Sequence, residues 1–224
     1  MNCYKNVYIL GTSHISRDSV SQVENFILNQ KPDIVAIELD KKRFYALVQE
    51  QKKASFKDMF HLGVKALLIN IIGAYVEKKL GKIVGVSPGS EMKRAIELIK
   101  KNKLKLSLID QDIDITLKKL SKAITIIVIF RFFGDIVKAV VFRKKDIKLF
   151  DIRKVPSKKI IDNILIKIKE RYPTIYATLI EERNEVMARN LYKLMNNYKD
   201  KKIFAVVGAG HESEIINIIK RTES

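Results

Sequence analysis

The sequence predicts an α/β fold: a central, mostly parallel sheet with a mainly helical insertion before its last strand. Three observations lead there. Strand-length apolar segments alternate with helical stretches along the chain. Two of these segments, Val7-Tyr8-Ile9-Leu10 and Phe204-Ala205-Val206-Val207, each run into Gly-x-x-His, as Gly11-Thr12-Ser13-His14 and Gly208-Ala209-Gly210-His211. Two others end on acids, at Glu38 and Asp110. Carboxyl ends of parallel strands are where ligands meet open α/β sheets, so polar residues at strand ends point to a site there.

The elements follow in order. A strand at about 6–11 leads to a helix capped by Ser16 or Asp18 and running to about residue 30. Pro32-Asp33 opens a second strand, Ile34-Val35-Ala36-Ile37, which ends at Glu38-Leu39-Asp40. Both strands are continuous apolar runs, as expected of strands covered on two faces, and the crossover between them favours parallel pairing. A charged helix is expected at about 41–53, then an apolar amphipathic stretch from Leu62 to Leu80, closed by Gly81. Ser87-Pro88 fits the cap and first position of a helix to about 101. Leu104 to Ile109 reads as the third core strand. Between about 112 and 199 the pattern is helical, broken at Tyr172-Pro173, and Ile124 to Phe142 is strongly apolar. Arg131, Asp135 and Lys138 interrupt that stretch and argue against a transmembrane span. The last strand is expected at 203–207, with a terminal helix from Glu212. One domain covering 1–224 suits this length, with the helical insertion at about 112–199.

Composition narrows the function. A single cysteine, Cys3, rules out an internal disulfide framework and a cysteine-based zinc site. The formal net charge is +18, but the lysines are spread over nearly every helix. Without an aromatic ladder or a recognisable nucleic-acid motif, that charge reads as a solvated basic surface rather than a nucleic-acid groove. The amino end leads straight into a strand, which makes a cytoplasmic location the expectation. No Walker loop, dinucleotide glycine fingerprint or Gly-x-Ser-x-Gly elbow occurs, so kinase, dehydrogenase and serine-hydrolase chemistry have no support.

The chain holds three histidines, and two of them occupy the matched Gly-x-x-His contexts. His14, His211 and Glu38 together offer imidazole and carboxylate, the usual ligand set for a catalytic divalent metal. The alternative is that each histidine hydrogen-bonds its own strand-end turn. Arg43, one helical turn beyond Glu38-Leu39-Asp40, either clamps an anionic oxygen of substrate or pairs with Asp40. Arg183 and Asn184 fall mid-helix, where asparagine is a poor helix former; they read as functional or as a solvated face with local Glu–Arg pairs. Asp110 and Asp112 suggest a second carboxylate pair, although capping explains Asp112 more simply. His61, beside Leu62, reads as structural.

Six segments in order extend this picture: Gly11-Thr12-Ser13-His14-Ile15-Ser16, Glu38-Leu39-Asp40 with Arg43, Pro88-Gly89-Ser90-Glu91-Met92, Leu108-Ile109-Asp110 with Asp112-Ile113, Glu182-Arg183-Asn184 with Met187-Ala188, and Val207-Gly208-Ala209-Gly210-His211. In these the chain resembles the TraB/PrgY/GumN family, related to the TIKI metalloproteases. The resemblance implies a TIKI-like fold and a site gathering His14, Glu38, Arg183, Asn184 and His211, with Arg43 beside it. It implies a divalent-metal-dependent hydrolase, a peptidase of pheromone-shutdown type, with His14, Glu38 and His211 at a Mn²⁺, Co²⁺ or Zn²⁺ ion. Gln111 departs from the family pattern, which commonly has Arg between the two aspartates. The expected partner is a peptide or small-molecule substrate. The alternatives are a non-catalytic peptide-binding or membrane-peripheral regulator, or a metal-independent esterase-like hydrolase. The apolar stretches 62–80 and 124–142 would serve as a homodimer interface or a weak membrane-surface attachment.

Overall fold

Strands β1 (Asn2–Tyr4), β2 (Val7–Thr12), β3 (Ile34–Ile37), β4 (Lys105–Leu108) and β5 (Ile203–Gly208) hydrogen-bond into one sheet in the order β1-β2-β5-β3-β4. All neighbours pair in parallel except β1, which adds antiparallel to β2. The structure is a computed structural model that describes residues 1–13, 17–49, 89–141 and 158–223. The predicted features at His14, His61, Leu62–Leu80, Gly81 and Ser87-Pro88 lie outside the described residues, as do the capping candidate Ser16 and the end of the charged helix.

The expected strands occur within a residue or two of their predicted ends, but their order differs from a simple β-α-β pairing. Strand β5, last in the chain, lies between β2 and β3. Its burial explains the position. Every residue from Ile203 to Gly208 is buried, and its side chains alternate between two cores. Ile203, Ala205 and Val207 join one cluster, whereas Phe204 and Val206 join the other. A strand with apolar residues on both faces is most stable where both faces are covered, at the centre of the sheet. Phe204 stacks on Phe26 with ring centroids 4.0 Å apart, which ties β5 to helix α1 (Arg17–Gln30).

Helix α1 and α3 (Ser90–Asn102) cover one face of the sheet, while α8 (Glu182–Asn197) and α9 (Glu212–Glu223) cover the other. Short α2 (Lys41–Val48) follows β3, capped by the Asp40 carboxylate on the Lys42 and Arg43 amides. The described part of α3 begins at Ser90. Gly89 precedes it with a φ of 79°, a left-handed value that a glycine adopts without steric cost. Between β4 and β5 the described residues fold as α4 (Ile113–Ala123), α5 (Ile126–Val141), α6 (Lys158–Arg171), α7 (Pro173–Tyr176), a π-helical turn at Ala177–Glu181, and α8. No helix among the described residues is long and apolar enough to cross a membrane.

The ends of β2 and β5 meet directly. Thr12 pairs with Gly208, and the Ala209 amide donates to the Thr12 carbonyl at 2.9 Å. Gly11 has to be a glycine for this turn to pack. A Cβ there would collide with the Glu212 carboxylate and stand 3.0 Å from the Ala209 Cα. The Glu212 carboxylate is held by Asn2 and the amino terminus, both 3.1 Å away, so it has little room to give. Gly11→Ala is expected to cost about 1–3 kcal/mol by overpacking, read as a lower urea midpoint with an unchanged slope.

Candidate functional site

Beyond the carboxyl ends of β3, β4 and β5 the chain places a cluster of charged side chains, most of them buried. Glu38 follows β3 directly and is 5% exposed. Its Oε2 accepts a 2.5 Å hydrogen bond from the Gly208 amide at the end of β5. Its Oε1 accepts from Arg183 and lies 3.5 Å from His211 Nε2. The central position of β5 makes this possible, because only a strand next to β3 can offer its terminal amide to a side chain at the end of β3.

His211 stands three residues past the end of β5, and its amide donates to Gly208 O at 2.9 Å. The imidazole is 5% exposed. Its Nδ1 lies 2.6 Å from Asn184 Oδ1. Assigning Oδ1 as the acceptor puts the proton on Nδ1 and leaves Nε2 as the basic nitrogen. Arg183 supports that tautomer, since its Nη1, which can only donate, lies 3.4 Å from Nε2.

Arg183 and Asn184 are neighbours in the first turn of α8, and they serve different partners. Asn184 is buried against His211. Arg183 forks onto Asp110, with Nε to Oδ1 at 3.1 Å and Nη2 to Oδ2 at 2.5 Å. The π-helical turn just before α8 leaves the Leu179 carbonyl 3.3 Å from Arg183 Nη1. Such turns widen the helix by a residue and recur near functional sites. The solvated face that was the alternative for these two residues does not occur: Asn184 is buried and the Arg183 side chain is 14% exposed.

Arg43 makes the expected pair with Asp40 and adds a contact to Asp110 that its position in the sequence did not suggest. Its Nε donates to Asp40 Oδ2 at 2.5 Å, and its Nη2 donates to Asp110 Oδ2 at 2.6 Å. Asp110 does not form the suggested carboxylate pair with Asp112 but serves Arg43 and Arg183 instead. Asp112 turns away to cap α4 through the Asp114 amide. Gln111 bonds Thr116 at 2.9 Å in the buried floor beside Asp110.

The electrostatics follow from this crowding. Burial alone would push the Asp110 carboxyl up. The hydrogen bonds and charges of Arg183, with those of Arg43, outweigh burial and hold it below the ordinary carboxylate value. Arg43 and Arg183 both lose hydration in the cluster, yet their carboxylate partners raise them above the usual guanidinium value. All three remain charged at neutral pH.

A metal can be tested against these donors. An ion shared by His211 Nε2 and Glu38 Oε1 would need each within about 2.0–2.2 Å. Arg183 is bonded to that same oxygen, and its Nη1 stands 3.4 Å from that same nitrogen. The guanidinium fills the place, and the described residues offer no group of three metal-ligating side chains. The described donors therefore do not fit a metal as they stand, and the third expected ligand, His14, lies outside the described residues. Thr12, two positions before it, pairs with Gly208.

Comparison with known proteins identifies the lineage. The sequence model of the TraB/PrgY/gumN family matches residues 4–223. The chain belongs to the TraB/PrgY/gumN family. An uncharacterized protein of Methanocaldococcus jannaschii is 37% identical over 221 residues, which are 98% of this chain and 54% of that protein. A TraB domain-containing protein of Mus musculus is 25% identical over 197 residues, 80% of this chain and 50% of that protein. One from Homo sapiens is 24% identical over 196 residues, 80% of this chain and 50% of that protein. The chain thus spans about half the length of the curated relatives it matches.

Proposed function

We propose that this member of the TraB/PrgY/gumN family is a hydrolase that attacks a carbonyl, with peptides as its substrate class. The observation that supports this best is the cluster of Asn184, His211, Arg183 and Glu38 at one sheet edge. Asn184 fixes the imidazole tautomer, so Nε2 can take a proton from an attacking water once Arg183 Nη1, 3.4 Å away, leaves it for a substrate oxygen. Arg183 offers a guanidinium beside Nε2, where negative charge develops on a substrate oxygen. Glu38, 3.5 Å from Nε2, favours the imidazolium that forms when His211 accepts that proton. The peptidase assignment and the TIKI-like fold rest on the family resemblance.

The resemblance also implies Mn²⁺ or Co²⁺ with His14 as a ligand. The seat taken by Arg183 beside His211 and Glu38 opposes that metal form. No step above depends on a metal. The test is release of new amino groups from a mixed peptide library by chelator-treated protein, with and without added Mn²⁺ or Co²⁺. Hydrolysis in either state is expected, with Glu38→Gln slower by about tenfold as the control. Activity that survives chelation selects the arginine form, whereas strict dependence on added ion selects the metal form. No product in either state would overturn the hydrolase. It would favour a non-catalytic binding role, for which the exposed apolar Ile127 and Phe130 of α5 offer a surface to a partner or a membrane.

A further inference from the structure

Asp110 is the most enclosed charge at the sheet edge. Its side chain is 0% exposed, although it faces two guanidinium groups. Its Oδ1 accepts from the Gln111 amide at 2.7 Å and from Arg183 Nε at 3.1 Å. Its Oδ2 accepts from Arg183 Nη2 at 2.5 Å and from Arg43 Nη2 at 2.6 Å. Two arginines on different helices therefore share one carboxylate.

We propose that Asp110 is a positioning residue: it fixes the plane of the Arg183 guanidinium so that this group lies on Glu38 and beside His211. The geometry separates this role from simple charge balance. Glu38 engages Arg183 through one nitrogen, which leaves the guanidinium able to swing about that contact. Asp110 engages it through Nε and Nη2 together, and such a fork sets both direction and plane. The carboxylate cannot turn either. The Gln111 amide holds one oxygen, while Arg43 holds the other and is itself tied to Asp40 at 2.5 Å. The line Asp40–Arg43–Asp110–Arg183–Glu38 runs from the end of β3 across the end of β4 to α8 and back to the end of β3. The reacting end of that line depends on its buried middle.

The kinetic arm of the test rests on the hydrolase reading, whereas the chemical arm does not. In the chemical arm, the full chain is treated with phenylglyoxal, which modifies accessible arginine, and each site is quantified by peptide mass spectrometry. Arg183 is expected to react several-fold faster in Asp110→Asn than in wild type, with Asp110→Glu between them and Arg94 and Arg189 unchanged. In the kinetic arm, Asp110→Asn is expected to lower kcat about 100-fold, the scale of a misplacement near 1 Å. KM should stay within about twofold, and Asp110→Glu should recover part of kcat. If Asp110→Asn does not fold, wild type against Asp110→Glu carries the same ordering. Unchanged Arg183 labelling overturns the proposal, and so does faster labelling with wild-type kcat. If wild type hydrolyses nothing, the hydrolase reading fails while the labelling still decides the role of Asp110.

Discussion

Replacing Asp110 with alanine is expected to cost the fold about 3–5 kcal/mol, the loss typical when one partner of a buried ion pair is removed. The magnitude follows from what would be left behind. Among the described residues, Arg183, 14% exposed, would keep Glu38 as its one carboxylate partner, and Arg43 would keep Asp40. The buried Gln111 amide would lose its acceptor as well. For a domain of this length the change corresponds to a melting temperature lower by roughly 10 °C. The same pair predicts a pH dependence with a definite sign. The Asp110 carboxyl is held below its ordinary value in the folded chain, so the unfolded chain takes up this proton at a higher pH than the folded one. The stabilisation is complete above the ordinary carboxylate range, near pH 4. It is lost as pH falls from there through the lowered native value. The gap in stability between wild type and Asp110→Ala should therefore be full at neutral pH and should narrow below about pH 4. Asp33, Glu24 and Glu223 are also held below their ordinary values. They act in both proteins, so the difference between two denaturant series isolates Asp110. A gap that stays constant into acid would show that the pair does not carry this stability.

Strands β2, β3 and β5 were legible in the sequence because they are buried along nearly their whole length and so are written as compact apolar runs, whereas β1, exposed and without such a run, was not anticipated. The order of the strands was not legible. Nothing local to Ile203–Val207 states that this segment inserts between β2 and β3. That choice is made by Phe204 meeting Phe26 on one face while Ala205 and Val207 meet α8 and α9 on the other. It is also the choice that matters for the site, since it brings the Gly208 amide to Glu38. Glu38, Arg43 and His211 could be singled out because each follows a strand end or lies within a turn of one. Arg183 and Asn184 carried only the weak mark of an asparagine inside a helix, and the family pattern was needed to raise them. The π-helical turn ahead of them has no local signature in Ala177–Glu181. Asp110 was visible but ambiguous, because a lone acid at a strand end reads as well for a cap as for a partner to two arginines from distant segments. Its role depends on helices α2 and α8 converging, which is tertiary information.

If His211 supplies the base, its orientation should matter nearly as much as its presence. His211→Ala removes the base and should lower kcat by about 10³-fold, within the range of positioned proton transfer. Asn184→Ala leaves the imidazole in place but takes away the oxygen 2.6 Å from Nδ1. Both residues are buried, so water replaces that acceptor poorly, and the ring is left to rotate or to move its proton to Nε2. Once Nε2 carries the proton it can no longer accept one from water, and it presents a donor to the Arg183 guanidinium that stands 3.4 Å away. We therefore expect Asn184→Ala to lower kcat by about 10²-fold and to destabilise the fold by about 1–3 kcal/mol for the unsatisfied imidazole N–H. Asn184→Asp restores an acceptor in the same place and should recover most of both losses. The double variant is the sharper measurement. Two residues acting through one imidazole are strongly non-additive, so adding Asn184→Ala to His211→Ala should cost no further activity. Full additivity would mean that Asn184 acts on the substrate by itself, and the tautomer argument would fail.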